Sequence, residues 1–460
     1  MRFFHGRSIT ACALTMSFFS PCQSADWSRF RGDNGSGITT DAKDLPSQFD
    51  EKTNLLWKVA LPGPGSSCPI IVGDRVFVTC WSGYGTAEAQ NGTPEDLKRH
   101  LVCMDRVSGK TLWDKSVKAA LPEDTYEGMF AEHGYASHTP VSDGKNVYVF
   151  YGKSGVHAYD LEGKELWSRE VGSGLDQRRW GSSCSPIIFE NLVIVLAAAE
   201  SQTLFAFDKE TGKEVWKEKA DGFAGTWGTP ILVTPENGET ELVVGVPFEV
   251  WSFNPKNGKF KWYCPIPDTD SYCSSVVADK GVIYSVEGRG GGGVAIRAGG
   301  KDDVSKTHVV WQGTLRNRIG TPIISNDLMY FFGGRVVHCV KTSDGEEVFQ
   351  ARLPALETAS AAPSNAAAPQ GGGRGGRGRG GMGGGMGGQD YSSPVAADGK
   401  IYFVTRNGDI HVLKLADKFE SLAVNRLTAD SEDFSATPAI AGNQIFIRSS
   451  KHLYCVGKKD

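Results

Sequence analysis

A short element, in which a Ser or Thr stands one or two places before a proline followed by β-branched residues, recurs along this chain. Its proline falls at Pro69, Pro140, Pro186, Pro230, Pro322, Pro394 and Pro438, and Ser275 holds an eighth place. Self-similarity at a fixed period outranks local propensity, because each repeat buries its apolar face only against its neighbours. Five of the seven intervals lie between 44 and 47 residues, and the other two are 71 and 72. A period of about 45 residues is that of one four-stranded propeller blade, so the two long intervals carry insertions.

Each unit reads alike. Val141 opens a strand, Ser142-Asp143-Gly144-Lys145-Asn146 turns the chain, and Val147-Tyr148-Val149-Phe150-Tyr151 forms a second strand. Proline suits the first position of a strand, where its missing N–H is tolerated. The second half is more specific: Ala206-Phe207-Asp208-Lys209-Glu210-Thr211-Gly212-Lys213-Glu214-Val215-Trp216 matches the tryptophan-docking motif of quinoprotein propellers at every defining position. Partial copies run from Met104-Asp105 to Trp113, Tyr159-Asp160 to Trp167 and Phe253-Asn254 to Trp262. A short Asp or Asn bonds its own downstream backbone while Gly supplies positive φ, so the hairpin reverses tightly and places the Trp at the sheet edge. On these residues the chain resembles the pyrroloquinoline-quinone (PQQ)-like β-propeller repeat family, within the quinoprotein alcohol dehydrogenase-like superfamily.

Structural roles for Trp57, Trp113, Trp167, Trp216, Trp262 and Trp311 follow from the same pattern: each ring covers a junction between blades rather than serving chemistry. Phe349 takes the Trp place in the sixth unit, and the seventh, around His411-Val412-Leu413, has no good copy. The last unit ends at Asp460 before any closing aromatic strand, whereas Leu55-Leu56-Trp57-Lys58-Val59 has such a strand without a preceding hairpin. Assigning it to the final blade seals the ring. The expected fold is all-β: an eight-bladed β-propeller of four-stranded antiparallel blades over 53–460. Segment 26–52, with Trp27 and Phe30, is expected either to cap the ring or to trail as a tail.

Arg2 and Arg7, an apolar stretch from Ile9 to Phe19, and small residues up to Ala25 have the order of a secretory signal, so export to the periplasm or exterior is expected, with 1–25 removed. Phe19-Ser20-Pro21 before Cys22 is a poor lipobox, so a lipid anchor is not expected. Cys103, Cys339 and Cys455 share a repeat position filled elsewhere by Ala158 and Ala206, which reads as small buried side chains. Cys264 and Cys273 are the best disulfide candidates.

The Gly/Arg-rich insertion at 354–390 cannot bury a core and reads as a disordered loop. Its few arginines do not make a nucleic-acid site, since the chain has a formal net charge of -4 and offers no general positive field. The first-unit insertions, Tyr84 to His100 and Ala119 to Glu132, read as polar surface loops.

In a propeller the connections between blades emerge on one face, so the residues just before each proline element converge at a funnel. These are Glu132, His133, Asp176, Arg178, Arg179, Trp180, Trp227, Asp268, Asp270, Tyr272, Arg316, Arg318 and Tyr391. Mixed charge beside aromatic surface suits an envelope protein or a small polar ligand. The family resemblance implies PQQ, Ca²⁺ and a catalytic Asp. No adjacent cysteines and no haem-attachment motif accompany it here, and no catalytic, cofactor or metal residue is assignable. The expectation is a non-catalytic, monomeric binding propeller, similar in kind to BamB-type assembly factors, with peripheral membrane association left open and a PQQ-dependent dehydrogenase as the alternative.

Overall fold

The computed structural model describes residues 26–128, 130–236, 238–267, 269–287, 291–315, 317, 319–356 and 389–459. The expected signal segment and most of the 354–390 insertion lie outside these. The described residues form eight sheets, one per repeat, each with four antiparallel strands; the fourth sheet gains a short parallel strand, Asp302–Asp303, on its outer edge. The inner strands of the first and last blades touch, so the array closes.

Blade 3 shows why the sequence folds this way. Its strands are Ile187–Phe189, Leu192–Ala197, Thr203–Asp208 and Glu214–Lys219. The two middle strands are buried on both faces because each blade is packed between two others, which is why they read as continuous apolar runs. The outer strand is exposed except at Trp216. At its hairpin, Asp208 accepts hydrogen bonds from the Thr211 N–H (2.9 Å) and hydroxyl (2.7 Å), and the Gly212 N–H bonds the Asp208 carbonyl at 2.7 Å.

That hairpin is the dock for the preceding blade. Trp167 donates its indole N–H to the Lys209 carbonyl at 2.9 Å and lies against Gly212, where a Cβ would come within 2.5 Å of the ring. Gly212 has φ +67, so both its conformation and the close approach demand glycine. Trp57, Trp113, Trp216 and Trp311 repeat the arrangement against Arg106, Leu161, Pro255 and Thr342. Opposite each ring on the neighbouring strand sits a small residue: Cys103 faces Trp113, Ala158 faces Trp167, Ala206 faces Trp216 and Cys455 faces Trp57. The shared Cys/Ala position is thus the space in which the docking aromatic turns.

Trp262 departs from the pattern. The next blade replaces its tight hairpin with the longer turn after Arg297, and the Trp262 N–H instead reaches the buried Glu241 carboxylate at 2.8 Å. Phe349 has no docking glycine and packs on Phe419 of blade 7, with ring centroids 6.2 Å apart.

Blade 8 consists of Ala439–Ala441, Gln444–Arg448, His452–Val456 and, as its outer strand, Leu55–Ala60, which pairs antiparallel with His452–Val456. Trp57 of that strand then docks on blade 1, so closure uses the same joint as Trp113, Trp167, Trp216 and Trp311.

The segment from Trp27 to Phe49 caps the ring. Trp27 pairs with Ile71 of blade 1, Ile38 bridges Ala396 of blade 7, and the Phe49 N–H bonds the Asn425 side chain. Arg29 and Arg31 are buried, and among the described residues neither has a carboxylate partner in hydrogen-bonding reach. Their guanidiniums donate to inner-strand carbonyls, Arg29 to Pro230 (3.2 Å) and Arg31 to Pro322 (2.6 Å) and Pro394 (3.4 Å). Burial lowers Arg31 to about 9, so it remains charged at neutral pH.

Three expectations need correction. Cys264 and Cys273 are not joined by a disulfide: Cys264 packs inside blade 4, whereas Cys273 lines the axial cavity. The first-unit insertions are more than polar loops, since Trp81, Leu97, Phe130, Tyr135 and Ala136 bury one another in a small core of their own. Ser275 occupies the hydroxyl place of the repeat rather than the proline place, which Val276 fills, as the hydrogen bonds described next make plain.

Candidate functional site

The residue before each proline does more than start a strand. Around the axis the Cys68 N–H donates to the Thr139 hydroxyl, Thr139 to Ser185, Ser185 to Thr229, Thr229 to Ser275, Ser275 to Thr321, Thr321 to Ser393 and Ser393 to Thr437, all at 2.9 to 3.0 Å. Cys68 stands in the eighth place of the series, where a thiol takes the position of the hydroxyl, beside Thr437 at its other end. Burial pushes that thiol up, so it stays neutral. A hydroxyl serves at this place because its oxygen satisfies the N–H of the corresponding residue one blade earlier, which lies just before the inner strand and outside its β-ladder.

The belt encircles a cavity of about 140 Å³ on the axis, with Phe30 of the cap among its lining residues. Toward the funnel the wall is Trp180, Trp227, Ile319, Tyr391 and His133, with Ser66, Ser137, Ser183 and Ser435 between them. Trp180 and Trp227 form the main apolar surface, their centroids 4.9 Å apart and their planes inclined by 36°. Trp227 is fixed by its indole N–H to the Gly181 carbonyl (2.8 Å) and by the Ser183 hydroxyl on its own carbonyl (3.2 Å).

The loops above hold this wall in place. Asp176 accepts the Trp180 N–H at 2.8 Å, and burial raises its carboxyl above the usual range. His133 donates from Nε2 to the Trp180 carbonyl; burial lowers its imidazole, so it is neutral. Arg178 lies 5.5 Å over the Trp180 ring and donates to the Asp270 carbonyl at 2.7 Å. Across the mouth Arg406 pairs with Glu132 and Asp433 and covers Tyr391 at 5.3 Å; burial works against its charge, but the two carboxylates hold it well above the ordinary arginine value.

Of the funnel residues expected from sequence, His133, Trp180, Trp227 and Tyr391 line the cavity, while Glu132, Asp176, Arg178 and Asp270 support its mouth. Arg179 is exposed, in a left-handed turn. Tyr272 is not a funnel residue: it is fully buried in the blade 4 core and shares a hydrogen bond with Ser285. Asp268, Arg316 and Arg318 lie outside the described residues. Phe30 and Arg406 escaped the sequence reading, the first because it belongs to the cap and the second because it follows an inner hairpin. The hydroxyl belt was legible as the fixed Ser/Thr before proline.

The family resemblance implies PQQ with Ca²⁺, so the cavity was compared with that pair. Ca²⁺ takes 6 to 8 oxygen ligands, normally with carboxylates among them. Among the described residues the cavity wall carries no carboxylate and no Arg or Lys, and no group of three or more His, Cys, Asp or Glu is placed to hold a metal ion. A cavity of about 150 Å³ accommodates one benzene ring, whereas PQQ is a tricyclic tricarboxylate. The described residues do not fit the pair.

Residues 97–351 match the family model described as outer membrane protein assembly factor BamB. No curated protein matches the sequence. Among solved structures, BamB from Moraxella catarrhalis superposes with a TM-score of 0.55 at 12% identity, covering 88% of this chain and 97% of that one. Quinohemoprotein alcohol dehydrogenase from Comamonas testosteroni gives 0.60 at 11% identity, over 95% and 81%. A europium-containing methanol dehydrogenase gives 0.63 at 10% identity, over 94% and 98%. At these identities the likeness is one of fold.

Proposed function

Because the chain belongs to the outer membrane protein assembly factor BamB family, whose model matches more than half of its length, we propose that it is a non-catalytic binding propeller of the cell envelope. Its axial cavity receives one uncharged ring, an aromatic side chain presented by a partner protein. The carrying observation is the make-up of that cavity: an aromatic pair and Tyr391 toward the funnel, a belt of hydroxyls around it, a volume of about 140 Å³ and, among the described residues, no ionised side chain on the wall. Such a surface gains by burying apolar area and penalises a charge that it cannot pair. Hydroxyls in the belt can still meet a phenol or an indole N–H.

The test uses N-acetyl-tyrosine amide as the probe, with PQQ plus Ca²⁺ as the competing ligand. The amide is expected to change tryptophan emission saturably, and PQQ with Ca²⁺ is expected to leave the melting temperature unmoved. A ligand at 100 times its Kd stabilises by about 2.7 kcal/mol, a shift of a few degrees in a protein of this size. A shift of that kind with PQQ and Ca²⁺ would support the dehydrogenase reading instead.

A further inference from the structure

The tryptophan wall hangs on one buried side chain. Gly181 and Ser183 grip Trp227, and between them Ser182 turns the other way, into the protein, where its hydroxyl donates to Glu200 Oε1 at 2.5 Å. His138 Nε2 lies 3.0 Å from the same hydroxyl. Since the Ser182 proton is committed to Glu200, His138 is the donor in that contact. Glu200 is more than nine-tenths buried, and its second oxygen, Oε2, has no partner among the described residues. Glu200 borders a small cavity of about 20 Å³, room for a single water.

The charges around this cavity do not balance if Glu200 is ionised. Arg99 is paired with Glu123 at 2.6 Å, and Lys153 with Asp124 at 3.2 Å. Both pairs are neutral as pairs, which leaves Glu200 as a fifth charge without a counter-ion. His138 cannot supply one, because burial pushes it down to about 3. The Cys184 thiol is driven up by burial and by Glu200 itself, so it stays neutral and adds no charge. A lone buried carboxylate is among the costliest groups a fold can carry, and the usual escape is to take up a proton.

We propose that Glu200 is the positioning residue of the Trp180–Trp227 wall, and that the wall holds its ring-binding arrangement only while Glu200 carries a proton. The proton sits on Oε2, facing the small cavity, and Oε1 remains the acceptor for Ser182. Loss of that proton leaves one uncompensated charge behind the wall; the ionised carboxylate pulls harder on the Ser182 hydroxyl and draws in water, and together these displace the 181–183 grip on Trp227. Burial raises the Glu200 carboxyl to about 7, which places the switch at neutral pH. The coupling to a ligand rests on the ring-binding reading above; the coupling of Glu200 to the tryptophans does not.

The ligand-free protein tests the second part. Between pH 5 and 9 its tryptophan emission should show a one-proton transition near pH 7, and the double variant Trp180→Phe, Trp227→Phe should lack that component. Glu200→Gln, a neutral isostere of the protonated side chain, should fold and hold the low-pH emission throughout. Glu200→Asp should restore a transition with a displaced midpoint. A carboxyl raised on folding contributes stability that is fully present below its unfolded value near 4.5 and is lost as pH rises through about 7. The melting temperature should therefore fall across that window in the wild type, and less so in Glu200→Gln. An unchanged emission transition in Glu200→Gln, no transition in the wild type, or a Glu200→Gln protein that does not fold would each overturn the proposal.

With N-acetyl-tyrosine amide, affinity should fall about tenfold per pH unit above 7 in the wild type and stay level in Glu200→Gln. If the amide binds neither protein while the emission behaves as expected, the ring-binding reading fails and the role of Glu200 stands.

Discussion

Trp262→Ala is expected to lower the unfolding free energy by about 4 to 8 kcal/mol, the largest loss for any of the docking aromatics. Truncating a fully buried Trp costs about 3 to 5 kcal/mol through lost transfer energy and the cavity left behind, and Trp262 is 0% exposed. It also donates its N–H to Glu241, which is itself fully buried. Glu241 would keep Lys261 at 2.5 Å, Ser252 at 3.2 Å and the Gly299 N–H at 3.3 Å but lose its closest neutral donor, adding about 1 to 3 kcal/mol. Trp57 is only half-buried and donates to a backbone carbonyl, so Trp57→Ala should cost less. Trp262→Phe separates the two contributions, since it keeps most of the packing and removes only the N–H. Denaturant unfolding followed by tryptophan emission and by far-UV circular dichroism gives the free energies, provided the two curves coincide. A loss below about 2 kcal/mol for Trp262→Ala would show that Glu241 and the blade 5 turn hold this junction without the ring.

The same junction shows how far the sequence could be read. A tryptophan two residues after Gly-Lys-x is visible as a repeat, and so is the small residue opposite it, because both are local and recur once per blade. The glycine under Trp167 belongs to a different blade, yet it too is legible, since Gly212 sits at a fixed place in its own copy of the motif. Trp262 was expected to dock like the others. Its partner lies in the one unit whose hairpin is lengthened, and a change in blade 5 therefore alters the environment of a residue in blade 4 without leaving a mark near Trp262 itself.

The candidate site was legible for the same reason and only to the same depth. Trp180, Trp227, His133 and Tyr391 precede the proline elements, and closure of a propeller brings such positions together whatever their identity. Tyr272 shares that sequence position but turns into the core, because side-chain direction is set by packing against Gly245, where a Cβ would come within 2.0 Å of the Tyr272 ring. Glu200 and His138 had no signal at all. Their meeting depends on three neighbouring segments and on the absence of a compensating cation, which is a property of three-dimensional charge balance.

Trp180→Ala is expected to weaken binding of N-acetyl-tyrosine amide about 30-fold, with little change in melting temperature. An aromatic anchor at the centre of a desolvated site is commonly worth 2 kcal/mol or more on truncation, and each 1.4 kcal/mol is a factor of ten. Trp180 is the better probe of the pair because it is partly exposed, whereas Trp227 is buried and hydrogen-bonded to Gly181, so that its removal would disturb the fold as well. Phe30→Ala supplies the complementary test from the cap. Removing that ring enlarges the cavity, so affinity for the tyrosine amide should fall while N-acetyl-tryptophan amide, with its larger ring, should bind as well as before or better. Arg29 and Arg31 keep the cap tied to blades 4, 6 and 7 in this variant, so the change is confined to volume. Trp180→Ala and Phe30→Ala that leave both affinities within twofold of wild type would move binding out of the axial cavity to the charged rim. An inverted preference in Phe30→Ala would instead mean that the ring reaches the cap and that cap and blades together set which side chain is accepted.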